Sequence, residues 1–284
     1  MKIFICTNDN QSIGAQVSKQ SIINRSIFKE SDITIINESD FPELKKFFSL
    51  PYKRKRKMID HEKNDMQSFT LLRFLVPQLM NYKGRALVID PDIFLIRQGL
   101  EELQDFPMED YPIYARKGHA NGAWGSSVML LNCAQLHHWK LINFIEQMHD
   151  GTLDYDDLIN LKTEEKKIAV LENKWNEFDA ITKNTILLHT TEKITQPWRA
   201  GLELNSLITP LFYIFPRAPI YKLFGKNLTI GREHPQKAVT SFFMKELADC
   251  LNNGAIVRHE IDQAIEKNFI RKDIYLELEK HQTE

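Results

Sequence analysis

The sequence predicts an α/β fold for its 284 residues, and three observations carry that reading. Lys2-Ile-Phe-Ile-Cys6 is a short apolar run that opens onto the polar stretch Thr7-Asn-Asp-Asn-Gln-Ser-Ile-Gly14. Ala86-Leu-Val-Ile-Asp-Pro-Asp-Ile-Phe-Leu-Ile96 is another apolar run, interrupted once by two carboxylates. Segments with apolar residues at helical spacing lie between and after these runs, as an alternating fold requires.

In order, Lys2–Cys6 is the first strand. Open α/β sheets bind ligands beyond the carboxyl ends of their strands, so Thr7, Asn8 and Asp9 stand where a base or ribose would be held. A satisfied surface turn is the other reading of the same three residues. Residues 15–28 place Val17, Ile22, Ile23 and Ile27 on a helix, and Asp32–Ile36 is the second strand. Lys53-Arg-Lys-Arg-Lys57 is a run of five basic residues. A solvated loop is the favoured reading, because acidic residues follow at once, and an anionic surface or phosphorylated acceptor is the other. Residues 67–82 predict one helix, with Phe69, Leu72, Phe74, Leu75, Val76 and Leu79 on a broad apolar face. Arg73 sits among them and requires an anion, either a protein carboxylate or a ligand phosphate.

Leu87, Val88 and Ile89 read as a buried strand, and Pro91, which has no N–H, ends it. Residues two apart in an extended chain point to one side, so Asp90 and Asp92 aim together. Two buried like charges repel, and a hard divalent cation relieves them. A polar turn with Asp92 solvated is the bland alternative. Further on, residues 112–115 and 127–132 are strands, 136–148 an amphipathic helix, and 153–166 a polar segment with Asp154, Asp156 and Asp157. Thr185-Ile-Leu-Leu-His189 is a short strand that ends in a histidine, which is either structural or a ligand.

Hydrophobic residues make up 43% of the chain and aromatic residues 10%, ample for a core, and the formal net charge of −1 gives no global argument for nucleic acid as partner. Cys6, Cys133 and Cys250 have no metal-ligand spacing and form no disulfide framework, which points to a reducing compartment. The N-terminus lacks the pattern of a signal peptide, and no apolar run is long enough to span a membrane. The expectation is a soluble, cytoplasmic protein.

Taken in order, six pieces resemble the GT-A glycosyltransferases of family 8, the glycogenin- and bacterial galactosyltransferase-like enzymes. They are the first strand with its polar loop, Leu72-Arg-Phe-Leu-Val-Pro77, Asp90-Pro-Asp92, Ser126-Ser-Val-Met-Leu-Leu-Asn132, Lys174-Trp-Asn176 and His189-Thr-Thr-Glu-Lys-Ile-Thr-Gln-Pro-Trp198. The resemblance covers roughly residues 2 to 200 and implies a mixed sheet flanked by helices. The expected domains are a catalytic one over 1–204 and a mostly helical extension over 205–284. It further implies transfer of a hexose from a nucleotide-sugar, UDP-linked, to a hydroxyl acceptor with retention. By the same resemblance Asp90, Asp92 and His189 hold Mn²⁺, or Mg²⁺ in its place. Thr7, Asn8, Asp9, Arg73, Asp90 and Trp198 bind the donor. Asn121, Trp175 and Asn176 lie on the acceptor and sugar side, and Asp156 and Asp157 are the catalytic carboxylates.

Four departures from the family pattern stand out. The spacing between His189 and Pro197 is one residue longer, the lysine before that proline is Gln196, the Asn-Ser-Gly before the Val-Met strand is Gly125-Ser126-Ser127, and the usual Asp-Gln pair is Asp156-Asp157 with Asn160 following. Lys193 or Arg199 is left to replace the missing cation. These departures motivate an alternative reading as a degenerate nucleotide-sugar binder, and the paired aspartates also suit a nucleotidyltransferase or phosphohydrolase. A nucleic-acid binder is the least favoured reading. The acceptor would be a sugar, a lipid-linked group or a protein hydroxyl.

In the last third, residues 207–224 carry three prolines and read as an apolar crossover, or as a patch for an acceptor or membrane surface. Residues 235–252 and 255–279 predict two amphipathic helices, which shape the acceptor side or an oligomer contact.

Overall fold

The structure, a computed structural model, describes residues 1–61, 65–108, 110–118, 123–204 and 230–282. It contains two compact units. The first is Met1–Glu177 with Lys183–Leu188, and the second is Phe178–Thr182 with His189–Glu284.

Along the first unit run β1 (Lys2–Thr7), α1 (Ser12–Arg25), β2 (Ile33–Asn37), α2 (Pro42–Phe47), β3 (Tyr52–Arg54) and β4 (Lys57–Ile59). Next come α3 (Val76–Leu79), β5 (Arg85–Ile89), β6 (Ile93–Leu95), β7 (Ile113–Lys117) and β8 (Trp124–Asn132). They are followed by α4 (Leu141–His149), α5 (Tyr155–Ile159), β9 (Ile168–Val170), β10 (Glu177–Phe178) and β11 (Leu187–His189), the last residues of β10 and β11 being counted with the second unit.

The main sheet has six strands in the order β2-β1-β5-β8-β7-β9. β1 is parallel to β2 and β5, while β8 runs antiparallel to β5 and β7. The sheet is therefore mixed, as the sequence predicts. Strand alternation divides its core. Phe4, Cys6 and Val88 face one layer, with Phe69, Leu72, Phe74 and Trp139, and Ile3, Ile5, Leu87 and Ile89 face the other, with Ala15, Ile22 and Trp175. Helix α1 is fastened to β6 by two small polar residues: the Ser18 hydroxyl donates to Ile93 O, and the Leu95 N–H donates to Ser21 Oγ at 2.9 Å.

Several elements differ from expectation. Residues 67–82 are not one helix: Ser68–Leu75 is a 3₁₀ helix, and only α3 is α-helical. Every residue from Ser68 to Leu75 is buried, so its apolar pattern reports burial on all sides rather than one α-helical face. Pro77 in the first turn of α3 marks the new start. The helix expected from residue 136 begins at Leu141, after a 3₁₀ turn over Cys133–Gln135. The segment expected as one helix over 255–279 is two, Arg258–Glu266 and Ile274–Gln282. Between them Asn268 takes a left-handed conformation (φ 55°), which stops the first helix.

In the second unit the helix Lys237–Asn252 buries Val239, Phe243, Met244 and Leu247 and packs on Ile274–Gln282. Gly231 lies against the backbone there, since a Cβ at this position would stand 1.9 Å from Arg199 O. Residues 205–229 lie outside the described residues, and with them the expected apolar crossover. Among the described residues no helix is long and apolar enough to cross a membrane.

Candidate functional site

Because β1, β2 and β5 are parallel, their carboxyl ends share one edge of the sheet. The start of antiparallel β8 comes to the same edge, where the Asp90 N–H donates to Ser127 O at 3.1 Å. This topology places Thr7, Asn8, Asp90, Asp92, Ser126 and Ser127 along one rim, all buried.

Arg73 meets Asp90 with both prongs of its guanidinium. Nε donates to Oδ1 at 2.9 Å and Nη2 to Oδ2 at 2.5 Å, and Nη1 donates to Ser126 Oγ at 2.6 Å. Ser126 in turn donates to Ile159 O at 2.6 Å. Of the two anions open to Arg73 in the sequence, the structure supplies the carboxylate. Burial alone would lower the Arg73 pKa, but the Asp90 charge and its hydrogen bonds hold it above its ordinary value. Cys6 lies beneath this pair. Burial first, and then the Asp90 charge, push its thiol far above the usual range, so it is a neutral packing residue.

Asp92 follows Pro91 at the same strand end and is 8% exposed, and His189 ends β11 directly after the last residue of the first unit. Asp90 and Asp92 in the first unit, and His189 in the second, are each buried and of the residue types that bind metal ions. Two carboxylates and an imidazole are a donor set that suits a divalent cation of the Mn²⁺ type, so the residues present fit the cation the resemblance implies.

At the end of β1, Thr7 Oγ1 donates to Asn8 O at 3.1 Å, and Asn8 Nδ2 donates to Ser68 Oγ at 2.9 Å. Asp9 is exposed and accepts from Asn37 Nδ2 at 2.9 Å. Asn176 is fully buried and donates through Nδ2 to Ser127 Oγ at 3.2 Å, while its carbonyl accepts from Arg116. Trp175 is buried in the core layer beside Ile89 and Ile186. Asn121 lies outside the described residues.

Asp156 and Asp157 are in the first turn of α5 and are engaged by the basic run. Arg54 Nε stands 3.3 Å from Asp156 Oδ1, Arg56 Nη1 3.0 Å from Asp157 Oδ2, and Lys162 Nζ 2.8 Å from Asp157 Oδ1. Asp154 caps α5 through the Asp156 N–H at 2.9 Å and also accepts the Arg56 N–H at 2.7 Å. The basic run thus forms a two-stranded hairpin, β3–β4, seated on the acidic segment. In the sequence the two are separate features. They are about a hundred residues apart, and no local pattern couples them.

In the second unit Trp198 is 1% exposed and stacks on Phe243 with ring centroids 4.8 Å apart. Gln196 is buried and donates to Thr190 O at 2.8 Å, and Arg199 is buried as well. His189 meets the Phe178 ring edge-on at 5.5 Å. Two residues at the rim escaped notice in the sequence. Ser68 and Glu38 come from a segment read as a plain helix and from the residue after a strand.

No protein-family profile and no curated protein matches the chain. Solved structures do. The apo form of the glycosyltransferase GlyE of Streptococcus pneumoniae TIGR4 is similar at 15% identity and a TM-score of 0.52, over 89% of this chain and 63% of GlyE. A second GlyE structure gives 16%, 0.52, 90% and 65%. The chain therefore spans slightly less than two thirds of GlyE. The galactosyltransferase LgtC, in complex with donor and acceptor sugar analogues, is similar at 14% identity and a TM-score of 0.49, over 70% of this chain and 89% of LgtC. The likeness to GlyE shows the architecture: this chain has the GT-A glycosyltransferase fold.

Proposed function

We propose that the protein is a glycosyltransferase that moves a hexose from a nucleoside-diphosphate sugar, UDP-linked by the resemblance in its motifs, to a hydroxyl acceptor with retention. The observation that carries this reading is the pair Asp90 and Asp92, buried at the carboxyl end of a central strand of a GT-A fold with Arg73 locked onto Asp90. Asp90, Asp92 and His189 would hold the divalent cation, Mn²⁺ by the chemistry of the set. Such a cation acts as a Lewis acid on a departing diphosphate. Arg73 orients Asp90 through its two-pronged contact, and Thr7 and Asn8 border the nucleoside end. Ser127 and Asn176 form a hydrogen-bonded polar pair on the β8 side of the rim, suited to sugar hydroxyls.

The ion pairs of Asp156 and Asp157 favour a second reading for these two residues. Both carboxylates are used to seat the hairpin, which supports a structural role and a nucleotide-sugar binder with little turnover. One experiment separates the two readings. Release of UDP from UDP-glucose and UDP-galactose is followed with and without Mn²⁺, alongside thermal stabilisation by the same compounds. The transferase reading expects Mn²⁺-dependent UDP release that Asp92→Asn abolishes. Stabilisation without release from either sugar would favour the binder, and the absence of both effects would end both readings.

A further inference from the structure

Asp154 joins the β3–β4 hairpin to α5. Its Oδ2 accepts the Arg56 N–H at 2.7 Å and its Oδ1 the Asp156 N–H at 2.9 Å, so one buried carboxylate caps the helix and grips the turn. The turn needs that grip. Arg54 pairs with Lys57 in the ladder, so Lys55 and Arg56 form a two-residue loop, and both are left-handed, at φ 52° and 65°. Such a loop favours Asn-Gly, and longer side chains resist it. Backbone in an unfavourable region persists only where its surroundings over-determine it, and Asp154 supplies that hold. Beside it Arg54 lies over the Tyr155 ring at 4.7 Å, and Tyr52 meets the same ring edge-on at 5.7 Å.

The other end of α5 reaches the rim. The carbonyl of Ile159, its last residue, accepts from Ser126 Oγ at 2.6 Å, and the Trp124 N–H donates to Asn160 O at 3.3 Å. Both donors belong to β8. A serine hydroxyl has one hydrogen and two lone pairs. With the hydrogen on Ile159 O, the lone pairs of Ser126 are left for Arg73 Nη1, which donates to Oγ at 2.6 Å. The other two nitrogens of Arg73 are spent on Asp90. A displaced α5 would free the Ser126 hydroxyl to rotate and would take away the third anchor of the guanidinium. From the hairpin turn to Asp90 the path is thus an unbroken series of hydrogen bonds with one five-residue helix in it.

We propose that Asp154 is a positioning residue for the cation site: through α5 and Ser126 it holds Arg73 on Asp90, so that the seating of the hairpin sets the affinity for a divalent cation. The inference rests on the cation reading of Asp90 and Asp92 above. Groups that orient a metal ligand from behind govern affinity nearly as strongly as the ligands do.

The test titrates Mn²⁺ into the full chain at pH 7 and follows the electron paramagnetic resonance signal of the free ion, which reads affinity without turnover. Ser126→Ala should weaken binding about tenfold. Asp154→Ser keeps a capping oxygen for α5 and is too short to hold the turn, and it should weaken binding at least about fivefold. Added to Ser126→Ala, it should cost less than about twofold more, because both act along one path. Lys55→Asn with Arg56→Gly gives a loop that closes unaided, at the expense of an exposed Arg56–Asp157 contact that contributes little. In that loop variant Asp154→Ser should again cost less than about twofold, whereas a plain loss of negative charge would persist. Wild-type Mn²⁺ affinity in Asp154→Ser or in Ser126→Ala overturns the inference alone, even where Tm falls. So do additive losses in the double variant, or an undiminished loss in the loop variant. No Mn²⁺ binding by the wild type overturns it together with the cation reading.

Discussion

Arg73 holds both oxygens of Asp90 in a two-pronged, buried ion pair, Nε on Oδ1 at 2.9 Å and Nη2 on Oδ2 at 2.5 Å. Removing one partner leaves the other charge buried and alone. Arg73→Ala should therefore cost about 3–5 kcal/mol of unfolding free energy, measured by urea denaturation at pH 7. Arg73→Lys keeps the charge and loses the fork, so it should recover only part of that loss. If both variants unfold at the wild-type midpoint, the pair is not what holds this edge of the sheet together.

The proposed cation should stabilise the folded chain by mass action. At a Mn²⁺ concentration a hundred times its Kd, the expected gain is about 2.7 kcal/mol, visible as a rise in Tm that excess chelator reverses. Asp92→Asn and His189→Ala should each lose this increment and keep the metal-free Tm close to wild type. An unchanged Mn²⁺ response in His189→Ala would remove that residue from the ligand set.

The pair Arg54–Asp156 is partly exposed, at 23% and 27% of the side chains, so solvent screens it. Arg54→Met should cost no more than about 1 kcal/mol, and less in high salt, by chemical denaturation at two ionic strengths. Since the acidic face of α5 already engages Arg54 and Arg56, the hairpin should show no salt-dependent retention of RNA or DNA in a mobility-shift assay.

Glu38 gives a stability signature that follows pH. Its pKa is raised from an ordinary 4.5 to about 7 in the fold, chiefly by burial. The folded state thus favours the protonated form, and this contribution is complete below about pH 4.5 and lost as pH rises through 7. Between pH 5 and pH 8 the wild type should lose more Tm than Glu38→Gln, and the variant should be the more stable of the two at pH 8. Parallel curves would mean that Glu38 titrates as an exposed carboxyl.

Gly231→Ala should be strongly destabilising, because its Cβ would fall 1.9 Å from Arg199 O. A drop in Tm of several degrees in thermal unfolding is the expected outcome, and a wild-type Tm would show that the backbone yields there.

Strands β1, β2 and β5 were legible in the sequence because they rest on short-range signals. Leu87–Ile89 is apolar enough to be central, Pro91 ends it, and alternation puts Asp90 and Asp92 on one side. What escaped depends on partners far away. The 3₁₀ form of Ser68–Leu75 is imposed by burial on every side, which hydrophobic periodicity does not distinguish from an α-helix. Arg73 showed its need for an anion but not which anion, since Asp90 is brought to it by packing. The basic run read as a solvated loop because its acidic counterpart in α5 lies 102 residues further on. Glu38 carried no signal in the sequence at all. Its character comes from burial and from two carboxylates contributed by other loops.

The seating of the β3–β4 hairpin on α5 also has a kinetic consequence. It closes a long loop with charges at the surface, so it gains little until both ends of that loop are already in place. It should form late in folding and open early, well before the central sheet, whenever salt weakens its ion pairs. The five consecutive lysines and arginines then become trypsin sites. In the intact protein a clean cut at the hairpin, faster as ionic strength rises and slowed by no change in the core, would be the mark of that local opening.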